Sequence, residues 1–323
     1  MTRRAVPGTM RAVAVQKFKD PAEMMDLPKP SPAPGEILVR LGAAGVNPFD
    51  WKIADGVAEV DRPHVFPLIL GVDGAGVVEA VGPGVTRFSV GDGVYGNFLH
   101  SPVGIGTYAE YVVAPENLGI SQIPRGILTT QAAAVPTSAM TALQTLDTLG
   151  LTRGQTLLIM GAAGGIGSFA IQLGDGLGLH VIAAARSPNR TYLIKLGATE
   201  TFDAASVSFV DDLHQSHPSG VDAMLDLGNQ GDALARLLVL VRPGGLVAST
   251  IGAADPELLG GRGLRGLNLS LQPSPALLDR LSSELAVGRI RIPIESTVSL
   301  AEAADALAVV RAGKGRGKTV ITI

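Results

Sequence analysis

The sequence predicts an α/β fold with a doubly wound parallel sheet and a second, discontinuous β-rich domain. Residues 156–186 read as a buried strand, a glycine-rich turn, a helix and another strand. Strands and helices then alternate as far as residue 251, whereas short strands punctuated by Gly and Pro fill residues 11–113 and return after residue 292. Alternation of strands and helices is typical of a parallel sheet covered by helices, and many short strands are typical of a barrel or sandwich.

The segment after residue 155 has the order of a dinucleotide-binding βαβ unit. Thr156–Met160 is a continuous apolar run, typical of a strand buried on both faces. In the turn that follows, Gly164 and Gly167 keep the last two glycines of the G-x-G-x-x-G fingerprint, and Ala162 replaces the first. Glycines let a pyrophosphate approach the backbone, and the helix N-terminus offers N–H groups to it. The alternative is a glycine-rich turn in an ordinary α/β domain. The residues expected to contact the cofactor here are Ala162, Gly164, Gly165, Ile166 and Gly167.

The end of the second strand of this unit indicates which nicotinamide cofactor is preferred. NAD sites usually place an acidic residue there to bind the ribose 2′-OH. Residues 181–190 contain no carboxylate, and Arg186 and Ser187 follow the strand instead. Because guanidinium groups suit a 2′-phosphate, the sequence predicts NADPH rather than NADH. The alternative is that Arg186 is only a solvated charge.

Later strands of the parallel sheet contribute three more candidate residues. Ligands of doubly wound folds bind at the carboxyl ends of the strands. Leu227 and Gly228 end the predicted strand 221–228, and Gly252 follows the predicted strand 245–251. We expect these backbones to approach the cofactor.

Composition excludes several classes of protein. A length of 323 residues favours two domains, and 46% hydrophobic with 17% charged residues favours a well-buried chain over disorder. A net charge of −3 gives no basic surface for nucleic acid. No apolar run is long enough to cross a membrane, and the N-terminus has no secretory h-region. The absence of cysteine excludes disulfides and thiolate-bound zinc, and it fits a cytoplasmic location.

The predicted domain boundaries follow the change from short strands to α/β alternation. Thr130–Leu149 is helix-like, interrupted by Pro136, and leads into the βαβ unit. Thr319–Ile323 reads as a lone terminal strand, which must pair with the first domain. We therefore predict a first domain over residues 1–125, a dinucleotide-binding domain over 126–270, and a return to the first domain over 271–323.

Six sequence motifs lie in order at residues 45–52, 71–82, 91–96, 106–111, 161–167 and 313–320. Together they resemble the medium-chain dehydrogenase/reductase superfamily, in particular its zinc-free quinone oxidoreductases, similar to zeta-crystallin and to plant alkenal/enone reductases. The resemblance covers nearly the whole chain from Met10.

The resemblance implies a GroES-like β-barrel catalytic domain, a Rossmann domain and a nicotinamide cofactor. It places Asn47 beside the nicotinamide, where its amide N–H polarises the substrate carbonyl, and places Thr141 against the nicotinamide amide. It places Tyr192 and Lys318 near the adenosine phosphate and the cofactor cleft. The alternatives are a turn residue for Asn47, a hydroxyl bonded to its own helix for Thr141, and plain surface residues for Tyr192 and Lys318.

Comparison with the zinc-dependent members predicts that no metal is bound. Their catalytic cysteine would fall at Asn47 and their histidine at Val72, and neither residue is a workable zinc ligand. The five histidines look scattered, with His214 and His217 in a polar loop. Without a Lewis acid, reduction is favoured over alcohol oxidation.

The predicted function is an NADPH-dependent, zinc-independent reductase of quinones or α,β-unsaturated carbonyls. The proton that follows the hydride can come from solvent, so no dedicated acid is required. Two alternatives stay open, an enoyl reductase that tailors a biosynthetic intermediate and a crystallin-like NADPH-binding protein with little turnover. The expected partner is a small molecule, and the resemblance implies a possible homodimer.

Overall fold

The computed structural model describes residues 8–57, 62–187, 189–313 and 315–323. Parts of several predictions lie outside these ranges. They are residues 1–7 and 58–61 of the predicted first domain, Pro188 in the run after the second βαβ strand, and Lys314 in the last family motif.

The described residues form strands and α-helices that alternate in the middle of the chain. The strands are β1 (Thr9–Val15), β2 (Glu23–Pro28), β3 (Glu36–Gly45), β4 (Leu68–Ile69), β5 (Asp73–Val81), β6 (Gly93–Asn97), β7 (Tyr111–Pro115), β8 (Ile120–Gln122), β9 (Thr156–Met160), β10 (His180–Ala185), β11 (Glu200–Asp203), β12 (Val221–Asp226), β13 (Val241–Ser249), β14 (Arg265–Asn268), β15 (Ile294–Ser299) and β16 (Lys318–Thr322). The helices are α1 (Pro48–Ala54), α2 (Thr129–Ala133), α3 (Pro136–Leu149), α4 (Gly165–Gly176), α5 (Arg190–Lys195), α6 (Phe209–Ser216), α7 (Gly231–Leu237), α8 (Pro256–Gly260), α9 (Pro275–Ala286) and α10 (Ala303–Arg311).

The chain divides into two compact units. The first comprises the described residues up to Met140 together with Pro273–Gly288 and Ile294–Ile323, and the second comprises Thr141–Gln272 and Arg289–Pro293. The sequence places the first boundary at residue 125. In the structure α2 packs on β3 and β5, so the segment after residue 125 stays with the first unit.

The second unit is a six-stranded parallel sheet in the order β11-β10-β9-β12-β13-β14. β9, the first strand of this unit in the sequence, lies in the middle of the sheet, and the later strands are added on either side of it. This is the Rossmann order. The predicted strand Thr156–Met160 is confirmed as β9, with Leu157, Leu158 and Ile159 fully buried. The doubly wound fold is therefore confirmed.

The first unit holds two mainly antiparallel sheets. One has the order β2-β1-β4, and the other has the order β15-β16-β3-β5-β6-β8 with β7 also paired to β3. The terminal strand β16 lies antiparallel to β3 and parallel to β15. The prediction that the last strand returns to the first domain is confirmed.

Two sequence interpretations were wrong. The segment predicted as a polar loop around His214 is helix α6, and His217 is its C-cap. Phe209 and Leu213 are buried at an i, i+4 spacing on this helix, a pattern that the surrounding polar residues obscure. The five histidines are also not all scattered, because His180 and His217 both contact Glu200.

Within the described ranges, each helix is too short or too polar to traverse a lipid bilayer.

Asp222, on β12, joins neighbouring strands at the amino edge of the parallel sheet. Its Oδ2 accepts hydrogen bonds from the backbone N–H and the hydroxyl of Thr156, each at 2.8 Å. Its Oδ1 accepts from Arg242 Nε at 2.8 Å and from Gln155 Nε2 at 3.2 Å. Burial alone would raise the pKa of Asp222, but these donors hold that pKa at about 2.

We expect Asp222→Asn to lower the free energy of unfolding by about 1–2 kcal/mol at neutral pH. The folded-state pKa lies below the unfolded value of 3.8, so the stabilisation is present above that value and is lost as the pH falls towards 2. Urea unfolding at several pH values measures the difference, with Asp211→Asn on α6 as the exposed control. A deficit that stays constant down to pH 2 would contradict the electrostatic origin.

Candidate cofactor and active site

The glycine-rich turn leaves β9 through Gly161. This residue has φ +77°, a left-handed conformation that favours glycine. The N–H groups of Gly161 and Ala162 both donate to Ala184 O at 3.1 Å, which ties the turn to the end of β10. Gly161 was not among the predicted contacts, although its place directly after a buried strand was a readable signal.

Gly164 and Gly167, the two glycines of the fingerprint, lack side chains for different structural reasons. A Cβ at Gly167 would lie 2.6 Å from Cα and O of Ala162, so the helix start can pack on the turn only without a side chain. A Cβ at Gly164, the N-cap of α4, would meet only Gly161 O at 3.4 Å. The fold leaves Gly164 an open approach, which suits a phosphate at a helix N-terminus. Gly165 and Ile166 lie in the same first turn and are half-buried.

Tyr192 lies against the first turn of α4. Its hydroxyl is 2.7 Å from Ser168 Oγ, and Ser168 in turn donates to Gly164 O at 2.7 Å. The predicted residues Tyr192 and Gly164 are thus brought together within the second unit. Tyr192 is half-buried, and its contact with a cofactor stays a prediction.

Arg186 and Ser187 follow β10 and are exposed. The Ser187 N–H donates to Asp203 Oδ1 at 3.3 Å, and the Ala205 N–H donates to the same oxygen at 2.9 Å. Asp203 ends β11, which lies beside β10 in the sheet. Asp203 lies outside residues 181–190, because it approaches the end of β10 from a neighbouring strand.

The ends of β12 and β13 place Leu227, Gly228 and Gly252 at the carboxyl edge of the sheet. Gly228 and Gly252 are exposed, and a Cβ on either would meet nothing within 4 Å. The preceding Asp226 is fully buried and accepts hydrogen bonds from the backbone and the side chain of Asn229 at 2.9 and 2.5 Å. Burial raises the pKa of Asp226. Gly228 and Gly252 are thus open to a ligand, so this edge fits a dinucleotide.

In the first unit, the backbone N–H and both side-chain polar atoms of Asn47 make hydrogen bonds. Its backbone N–H donates to Asp50 Oδ2 at 2.8 Å, and this contact closes the first turn of α1. Its Nδ2 donates to Asp73 Oδ2 at 2.9 Å and weakly to Gly45 O at 3.4 Å. Its Oδ1 accepts from Lys318 Nζ at 2.6 Å. The residue is 2% exposed, and its amide orientation is defined by these partners.

Lys318 is a buried cation rather than a surface residue. Only 3% of it is exposed, and its Nζ also donates to Val46 O at 2.9 Å. Burial lowers the pKa of Lys318, while the nearby carboxylates of Asp73 and Asp50 oppose that shift. Both of these hydrogen-bond acceptors, Val46 O and Asn47 Oδ1, belong to the first unit, and contact of Lys318 with a cofactor stays a prediction.

The two carboxylates near this cation are themselves buried. Asp50 is fully buried and accepts from Tyr108 Oη at 2.8 Å, and burial raises its pKa to about 7. Its Oδ1 has no hydrogen-bond partner among the described residues. Asp50 and His100 line a cavity of about 10 Å³, which is room for one water molecule.

Asp73 connects this cluster to the start of α3. Both of its oxygens accept from the Thr137 N–H, at 3.0 and 3.1 Å, and the Thr137 hydroxyl donates to Oδ1 at 2.6 Å. Asn97 Nδ2 donates to that hydroxyl at 2.9 Å. The predicted residue Thr141 lies one helical turn beyond Thr137 and is 7% exposed. Burial raises the pKa of Asp73 despite these donors.

The positions corresponding to catalytic zinc ligands do not fit zinc. Val72 is apolar and 2% exposed, and the Asn47 amide is engaged by the Lys318 ammonium. An ammonium group at this place supplies positive charge and would repel a divalent cation.

Comparison with known proteins supports the family resemblance of the six sequence motifs. Residues 33–125 match the family described as "Alcohol dehydrogenase GroES-like domain", and residues 196–321 match the family described as "Zinc-binding dehydrogenase". The chain is 31% identical to the 2-methylene-furan-3-one reductase of Solanum lycopersicum over 295 residues, covering 88% of this chain and 71% of that protein. It is 32% identical to the human mitochondrial NAD(P)H oxidoreductase RTN4IP1, covering 90% of this chain and 82% of that protein.

Among solved structures, the quinone oxidoreductase from Coxiella burnetii is similar, with a TM-score of 0.87 and 30% identity over 98% of this chain and 99% of that one. The GroES-like first part, the Rossmann order of the parallel sheet and these relatives agree. The chain belongs to the quinone oxidoreductase branch of the medium-chain dehydrogenase/reductase superfamily.

Proposed function

We propose that this protein is an NADPH-dependent, zinc-independent reductase of quinones or α,β-unsaturated carbonyls. The observation that carries the proposal is the open approach to Gly164 at the start of α4, the feature that suits a bound dinucleotide. The substrate class rests on the named activities of relatives, a furanone reductase and a quinone oxidoreductase. For this chain we propose that a hydride adds to an electron-poor conjugated centre of the substrate.

The second unit would hold the cofactor along the carboxyl edge of its sheet. Gly164, Gly165 and Ile166 offer the helix N-terminus to the pyrophosphate, and Tyr192 flanks that turn. Bound NADPH supplies a hydride. The protein binds and orients the cofactor through this edge, and the remaining backbone contacts come from Ala162, Gly167, Leu227, Gly228 and Gly252.

Preference for NADPH over NADH rests on the charges after β10. Arg186 and Ser187 are exposed where the 2′-phosphate of NADPH would be recognised. Asp203 is the nearby acidic group, but its Oδ1 is already bonded to two backbone N–H groups. We assign recognition of the 2′-phosphate to the Arg186 guanidinium, because a guanidinium suits a phosphate and a carboxylate does not.

In the first unit we assign substrate polarisation to Asn47, with Lys318 as its positioning residue. Lys318 donates to Asn47 Oδ1, and an amide whose oxygen accepts such a bond has a more acidic N–H. The weaker of its two Nδ2 contacts, to Gly45 O at 3.4 Å, is the one that a substrate carbonyl can replace. The contact to Asp73 then keeps the amide oriented. Thr141 is assigned to the nicotinamide side of the reaction.

This arrangement supplies without a metal what a reductase needs at the carbonyl. The Lys318 ammonium provides fixed positive charge behind Asn47, inside a buried cluster where electrostatic effects are strong. The final proton is assigned to solvent. A dimer and a cytoplasmic location stay predictions, and the human relative is named as mitochondrial.

The proposal is tested by following NADPH oxidation with a quinone panel and an enone panel, before and after exhaustive chelation. Turnover with one panel that survives chelation is expected. Tight NADPH binding with no turnover would favour the crystallin-like alternative, and activity restored only by zinc would contradict metal independence. Reaction only with enoyl thioesters would favour the biosynthetic enoyl reductase.

We expect Arg186→Ala to raise the KM for NADPH by about ten- to a hundredfold, because one charge-assisted hydrogen bond to phosphate is worth about 1.5–3 kcal/mol. The KM for NADH should change little, since NADH lacks the 2′-phosphate. Steady-state kinetics with both cofactors measure this, and Lys195→Ala at the far end of α5 is the matched cationic control. Equal changes for the two cofactors would contradict the assignment.

We expect Asn47→Ala to lower kcat by at least roughly tenfold while leaving the Kd for NADPH unchanged, because one polarising hydrogen bond is lost in the transition state. Lys318→Met should lower kcat through Asn47, so adding it to Asn47→Ala should cost little more. Unfolding curves are recorded for each variant, since Lys318→Met also leaves buried carboxylates without their cation. Additive losses in kcat would show that the two residues act separately.

A further inference from the structure

Two histidines and a glutamate meet at one edge of the parallel sheet. Nε2 of His180 lies 2.5 Å from Glu200 Oε1, and Nε2 of His217 lies 3.1 Å from the same oxygen. The imidazole rings are 5.7 Å apart between centroids. These donor atoms all lie within 4.8 Å of one another, close enough for one ion to bind all three.

The fold brings these residues together from distant parts of the sequence. His180 is the first residue of β10 and Glu200 is the first residue of β11. The two strands are parallel with Ile182 opposite Glu200, and His180 shares a face with Ile182 because side chains alternate along a strand. His217 then arrives at the end of α6, where the helix dipole favours a cation.

The three donors have the chemistry of a transition-metal site. Imidazole nitrogen and carboxylate oxygen are ligands of Zn²⁺, Co²⁺ and Ni²⁺. Tetrahedral zinc at about 2.1 Å from each ligand holds those ligands ~3.4 Å apart. The His217–Glu200 distance is near that value, and a rotation of the half-exposed Glu200 side chain opens the His180 distance.

We propose that His180, Glu200 and His217 bind one divalent transition-metal ion that staples β10, β11 and α6 together. The side chains are 34%, 32% and 17% exposed, so metal can enter from solvent and water can complete the coordination. The site lies at the amino ends of its two strands, whereas the Gly161–Gly167 turn follows the carboxyl end of β9. The ion is structural, and hydride transfer does not involve it.

The test uses the full chain after metal stripping, titrated with Zn²⁺ in a calorimeter and followed by thermal unfolding. One Zn²⁺ per chain and a rise in Tm are expected. Glu200→Gln and His217→Ala should lose both effects. His214→Ala, on the same helix and exposed, should keep them.

Circular dichroism and NADPH binding show whether the variants fold. If His217→Ala does not fold, the near-isosteric Glu200→Gln variant carries the test. The proposal is overturned if the wild-type chain takes up no stoichiometric Zn²⁺, or if Glu200→Gln binds it as the wild-type chain does. NADPH-dependent turnover should be equal with and without bound Zn²⁺. A loss of turnover on stripping, restored by Zn²⁺, would contradict the structural role and would also count against a zinc-independent reaction.

Discussion

A single buried ammonium group constrains the first unit. Lys318 has almost no exposed surface, yet it lies near the buried carboxylates of Asp50 and Asp73. Removing one charge of such a cluster leaves the others uncompensated, at a cost of about 3–5 kcal/mol. The cation comes from β16 and the anions from α1 and β5, so residues far apart in the sequence must fold together. The discontinuity of the unit is thus an electrostatic requirement as well as a matter of strand pairing.

Local patterns predicted the parts of the fold that depend on neighbours in the sequence. β9 was predicted to the residue, because an apolar run between polar Gln155 and the turn glycine Gly161 leaves little choice of boundary. The turn after it was also readable, since Gly167 is required by contact with Ala162 only five residues earlier. The N-cap of α1 was equally legible, with Asn47 before Pro48 and Asp50, but it was interpreted only as a turn or a substrate contact.

Charged residues that pair across long distances in the sequence left no local sequence pattern from which the pairing could be predicted. A lysine near the end of the sequence looks like a surface residue until β16 pairs with β3 and carries Lys318 inward. His180 and His217 look unrelated until the register of β10 and β11 brings both to Glu200. Asp203 was missed for the same reason, because it reaches the end of β10 from the adjacent strand. The carboxyl edge of the parallel sheet was therefore more predictable than the buried cluster around Lys318.

The late position of Lys318 has a consequence for the order of folding during synthesis. All six strands of the parallel sheet precede β15, so the second unit has its complete sheet while the first unit still lacks β16. Until that strand emerges, Asp50 and Asp73 lack their counter-ion, and the buried cluster of the first unit cannot be completed. The parallel-sheet unit can therefore complete its sheet during synthesis before the first unit can complete its own.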